Sequence, residues 1–88
     1  MLDVKEAAQK ASDYFAGLYQ DQALTKNVQL EEVEQADHGK YWLITLSYPV
    51  PSEPQLANLQ LSFKRKYKVF KIDAKTGEVK SMKIRKVE

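Results

Sequence analysis

Hydrophobic residues change their spacing once along this chain, and the change divides it into two kinds of structure. Val4, Ala7, Ala8, Ala11, Tyr14, Phe15 and Leu18 recur every three or four positions, which is the pattern of one apolar stripe on an amphipathic helix. Asp3 followed by Glu6 fits a capping box, each carboxylate reaching an unpaired backbone N–H of the first turn. Acids at that end also suit the helix dipole. Gly17 costs a helix about 1 kcal/mol relative to Ala, which predicts close approach there to whatever the helix packs on. The helix is expected to fade near Gln20, before the polar QDQALTKN.

From Val28 onward the period becomes two. NVQLEEVEQ is a polar strand with Val28, Leu30 and Val33 as its apolar points. The odd offset of Val33 predicts a bulge. ADHGK supplies a turn with Gly39 at positive φ. KYWLITLSYP is the strongest strand. It sends Trp42, Ile44, Leu46 and Tyr48 to one face and Tyr41, Leu43, Thr45 and Ser47 to the other, and proline is expected to stop it at Pro49. PVPSEPQ reads as a loop. In LANLQLSFKRKYKVFKID, Leu59, Leu61 and Phe63 share one parity and Phe70 and Ile72 the other, which predicts an irregularity near Lys64–Lys66. EVKSMKIRKV completes the sheet, with Met82 and Ile84 on one face and Ser81, Lys83 and Arg85 on the other.

These elements predict an α+β fold over residues 1–88 as a single domain: an N-terminal helix on one face of a three- to four-stranded antiparallel meander. The expected core is Val4, Ala8, Ala11, Phe15, Leu18, Leu30, Trp42, Ile44, Leu46, Phe70, Ile72, Met82 and Ile84. Loss of the Trp42 side chain from such a core is expected to cost about 3–5 kcal/mol.

Composition narrows the chemistry. At 88 residues, 43% hydrophobic and 30% charged, the chain matches an ordinary globular domain. With no cysteine, disulfides, thiolate catalysis and cysteine metal sites are excluded. No apolar run approaches the roughly 18 residues of a membrane span. A native Met1 argues for a cytoplasmic protein, and a removed leader would place it in the cell envelope or outside. The net charge of +2 is unevenly spread: residues 1–63 carry four lysines and nine acids, residues 64–88 ten Lys/Arg and three acids. Such separation steers partners through long-range fields.

The DAKTGE stretch, residues 73–78, brings Asp73, Thr76, Gly77 and Glu78 together as a loop ligand set would. A calcium loop needs about six oxygen ligands and a bidentate acid about twelve residues on, where this chain has Ile84. A phosphate loop needs more glycines and a following helix. Between two period-two runs, the stretch is a hairpin corner, with Gly77 in the left-handed conformation and Asp73 accepting backbone N–H bonds.

YKVFKIDAKTGEVKSMKI, through Phe70, Ile72, Asp73, Thr76, Gly77 and Val79, resembles the end of a PepSY-type domain, where a strand turns through Thr-Gly and returns. One helix followed by an antiparallel sheet is similar to that family across most of the chain. The resemblance implies a small non-enzymatic domain of the kind found in peptidase propeptides and beside cell-envelope proteins, with a restraining role toward a peptidase. The helix-on-sheet order also resembles that of cystatins, whose Gln-x-Val-x-Gly loop has no counterpart here.

Residue chemistry points the same way. His38, the only histidine, falls in a turn and reads as a solvated residue; no catalytic, cofactor or metal site is assigned. Glu31, Glu32 and Glu34 are expected on a solvated edge strand, alternation sending Glu31 to the opposite face from the other two. The basic run KRKYKVFK, residues 64–71, interleaves cations with Tyr67 and Phe70 as single-strand nucleic-acid surfaces do, which makes nucleic-acid binding by the hairpin 64–86 the alternative function. The favoured function is protein or peptide binding. Its expected residues are Tyr41, Leu43, Thr45, Tyr67, Val69, Lys71, Lys83 and Arg85, with Ser81 among them, forming an uncovered apolar patch rimmed by cations. Self-association would use the same face.

Overall fold

A computed structural model describes residues 1–19, 27–51 and 63–86. Helix α1 spans Val4–Leu18, and four strands follow: β1 Gln29–Ala36, β2 Tyr41–Pro51, β3 Phe63–Asp73 and β4 Val79–Arg85. The strands form one antiparallel sheet in the order β1-β2-β3-β4. The fold is therefore α+β, with the helix against one face.

The helix begins as its sequence dictates. The Asp3 carboxylate accepts from the Glu6 N–H at 2.8 Å while the Asp3 N–H donates to the Glu6 carboxylate at 3.2 Å. Its contact line is Ala7, Ala11 and Phe15, all buried, and the two alanines let the helix lie close to the strands. It packs over β2, β3 and β4. Facing it are Ile44, Leu46, Tyr48, Phe70 and Ile72, with Trp42, Val33, Val79 and Met82 half-buried around them. Phe15 joins the layers, its ring 4.9 Å from Tyr48 and 6.5 Å from Phe70, centroid to centroid.

Several expected core residues lie outside this cluster. Val4, Leu18, Leu30 and Ile84 are exposed. The cause is the helix position: Val4 and Leu18 sit at its ends, while Leu30 and Ile84 lie on the two outer strands. Ala8 borders a groove of about 300 Å³ shared with Val4, Val28 and Leu30. Trp42 takes the expected face but sits at the core's margin, its indole N–H donating to the Leu2 carbonyl at 3.1 Å. Among the described residues nothing lies within 4 Å of where a Cβ of Gly17 would be, so the expected close approach is not seen there.

Two strand boundaries also differ from expectation. β2 continues through Pro49 to Pro51, opposite Arg65 and Phe63. Opposite Ser47, β1 begins at Gln29 and extends no further along β2; beyond it no described strand pairs with that side of β2, so the missing N–H of Pro49 interrupts no described ladder. β3 keeps unbroken register from Phe63 to Asp73; no irregularity exists at Lys64–Lys66, and Leu59 and Leu61 lie outside the described residues. The predicted bulge in β1 is present, between Leu30 and Glu32.

Candidate docking face

The corner at residues 73–78 is structural. The Asp73 carboxylate accepts from the Lys75 and Thr76 N–H groups at 2.8 and 2.9 Å, and Gly77 has φ +79°. The bonds from the Thr76 and Lys75 N–H groups hold the Asp73 carboxyl below its ordinary pKa. Ala74 O accepts from the Leu2 N–H at 2.7 Å, so this corner also anchors the chain ahead of α1. The other turn places Asp37, His38 and Gly39 all at positive φ; Gly39 was expected there, the two residues before it were not. His38 is exposed on this turn.

The sheet face away from the helix collects every residue expected to dock a partner. Register sets Tyr41 opposite Asp73, Leu43 opposite Lys71, Thr45 opposite Val69, and Ser47 opposite Tyr67. Val69 and Lys71 in turn face Lys83 and Ser81, and Tyr67 faces Arg85. At one end these side chains frame a groove of about 350 Å³, with Leu43 and Val69 in its lining and Ala36, Asp37, Lys71, Ser81 and Lys83 around them. The Lys71 ammonium lies 4.3 Å from the Tyr41 ring centroid, a cation–π contact.

The other end of this face is not bare. Thr45 and Ser47 are only 2% and 0% exposed, although α1 lies on the opposite face. Long charged side chains cover them instead. Arg65 donates through Nε to the Ser47 hydroxyl at 2.9 Å and through its terminal nitrogen to the Ser47 and Asn27 carbonyls at 3.1 and 2.6 Å. The Ser47 hydroxyl donates to the Glu31 carboxylate. Arg85 crosses from β4 to reach the Thr45 hydroxyl at 3.0 Å and the Glu32 carboxylate at 2.9 Å on β1. The hydrogen bond from Glu32 raises the Arg85 pKa above its ordinary value.

Two expectations are corrected here. The bulge at Glu31 reverses its alternation, so Glu31 lies on the same face as Glu32, where its carboxylate meets Ser47. The uncovered patch is likewise smaller than expected: Thr45 is buried beneath Arg85, while Leu43, Val69, Lys71 and Lys83 line the open groove, Tyr41 lies beside Lys71 and Tyr67 is opposite Arg85. Arg65, absent from the expected set, is a principal part of the charged cover. Its signal was its parity, which it shares with Tyr67 and Val69.

The basic run is divided between the faces. Arg65, Tyr67 and Lys71 share the outer face, whereas Lys64, Lys66 and Lys68 pair with helix-side residues Val50, Tyr48 and Leu46. Phe70 is fully buried and offers no stacking surface. Among the described residues no three His, Cys, Asp or Glu side chains are grouped as metal ligands, and no helix is long and apolar enough to cross a membrane. No family model, curated protein or solved structure matches the chain.

Proposed function

We propose that the chain is a non-catalytic module that binds a protein or peptide on the outer face of its sheet, at the groove over Leu43 and Val69. The observation that carries this reading is the convergence of an apolar floor and two lysines, Lys71 and Lys83, in one open groove. Apolar contact supplies affinity and the flanking cations select acidic or carboxylate-bearing segments. The resemblance of residues 67–84 to the end of PepSY-type domains makes a peptidase the first protein class to test, with this module as its restraint.

Selection from a displayed peptide library, run in parallel on the wild type and on a Leu43→Ser/Val69→Ser variant, tests the site. Sequences enriched by the wild type alone are expected, with acidic residues over-represented. Equal enrichment by both proteins would remove the groove from the binding site. Nucleic-acid binding is the rival, weakened by the division of the basic run. It requires oligonucleotide affinity that falls steeply with salt, and an unshifted oligonucleotide at low salt eliminates it.

A further inference from the structure

Among the described residues β1 and β4 each have one unpaired edge; these edges match, and we propose that β4 accepts β1 of a second copy of this chain. Hydrogen-bond direction sets the register. The Asp73 N–H donates to Glu78 O at 2.8 Å and the Ala74 N–H to Lys40 O at 2.9 Å. Odd-numbered residues of β3 therefore turn their backbone groups toward β4, and even-numbered ones toward β2. Carried through the strand pairings, this alternation leaves Met82 and Ile84 of β4, and Val33 and Gln35 of β1, with N–H and C=O directed out of the sheet.

All four residues share the helix-side face, since their cross-strand partners Phe70, Lys68, Ile44 and Trp42 do. An antiparallel register with Val33 opposite Ile84 and Gln35 opposite Met82 thus meets two independent conditions. The outward backbone groups form hydrogen-bonded pairs, and the helix-side face of one copy continues as the helix-side face of the next. The same register places Glu34 opposite Lys83 and Ala36 opposite Ser81 on the outer face, and brings Glu32 opposite Arg85, two groups already paired with each other within each chain. It uses only bulge-free stretches, residues 32–36 and 81–85, because the irregularities fall at Glu31 and Lys80.

Charge selects this arrangement over its alternatives. β1 against β1 would bring together its acids, and β4 against β4 its cations; like charges directly opposite are unfavourable and opposite charges favourable. With four strands in meander order, β4 runs opposite to β1, so a copy added in the same orientation continues the antiparallel alternation. Ile84 is 74% exposed in the single chain, and Val33 of the added copy shields part of it. Such a head-to-tail contact is not closed by a two-fold axis and extends into a ring or a filament. It uses edges and leaves the outer face open, so it stands apart from the docking reading.

Sedimentation velocity from about 1 μM to about 1 mM, the range in which weak contacts dissociate, tests the assembly. Gln35→Pro and Ile84→Pro each delete an outward N–H that no described residue of the single chain accepts. The wild type is expected to gain mass with concentration, and each variant alone to remain a single chain. Their equimolar mixture should form two-chain species and nothing larger, because each variant keeps one intact edge. Should proline disturb the fold by circular dichroism, Glu34→Lys and Lys83→Glu replace it: each alone loses association and the mixture regains it. A wild type that stays single at about 1 mM overturns the proposal. So does a folded single variant that associates as the wild type does, or a mixture no heavier than its components.

Discussion

The sheet has two faces, and the centre of each is dry for a different reason. On the helix side, Ile44, Phe70 and Ile72 are buried beneath Ala7, Ala11 and Phe15. On the other side, Thr45 and Ser47 are buried beneath the stems and heads of Arg65 and Arg85, anchored by Glu31 and Glu32. The first cover is apolar and gains from leaving water. The second is built of long amphipathic side chains that lie along a surface with their charges still wetted. Equal burial therefore does not mean equal stabilisation, and the two faces should respond differently to mutation, pH and salt.

The largest separation is expected from truncation. Phe70→Ala should cost about 3–5 kcal/mol, read as a fall in the urea midpoint with an unchanged slope. Trp42→Ala, at the margin of the same cluster, should cost about 2 kcal/mol, combining partial burial with loss of the bond to the Leu2 carbonyl. Ser47→Ala on the opposite face should cost only about 1 kcal/mol, because Arg65 and Glu31 can turn to water when the hydroxyl is gone. A Ser47→Ala loss equal to that of Phe70→Ala would show the charged cover to be a second core.

The contrast was partly written in the sequence. Local signals were legible: the capping box at Asp3 and Glu6, the change of period after the helix, and the positive-φ glycines at 39 and 77 each depend on near neighbours. Strand alternation also assigned Tyr41, Leu43, Tyr67, Val69, Lys71 and Lys83 to one face. What alternation could not supply was the exact site of the β1 bulge, which reverses the direction of Glu31. Nor could it supply the reach of Arg85, whose partners Thr45 and Glu32 are neighbours only through the combined register of four strands. The offset of α1 from β1, which exposes Leu30, is likewise a tertiary choice that the apolar stripe leaves open.

Acid should act at the 73–78 corner. Asp73 lies opposite Tyr41, and its carboxyl is more acidic in the folded chain than in the unfolded one because it accepts from the Thr76 and Lys75 N–H groups. Its stabilising contribution is therefore complete above the unfolded value of about 3.9 and is lost as pH falls through the lower folded value. Asp73→Asn should flatten the acid limb of the stability curve. A limb of unchanged steepness would mean that other carboxylates dominate it. Phe70→Ala should lower the whole curve without altering its slope.

The smallest effect is the most informative about the charged cover. Arg85 and Glu32 are 36% and 48% exposed at the side chain, so solvent and ions reach both, and exposed pairs of this kind are screened. A double-mutant cycle with Arg85→Gln and Glu32→Gln should give a weak coupling at low ionic strength. At about 1 M salt, where screening acts within about 3 Å, the coupling should vanish. Arg85 would still shelter Thr45 through its aliphatic stem, so protection of the Thr45 amide from exchange should fall less in salt than on Arg85→Gly. If instead the coupling survives high salt, the pair is effectively desolvated. The outer face would then have to shed a fixed ion pair before any partner could spread from the groove toward Thr45, and the proposed docking would be confined to the Leu43 end.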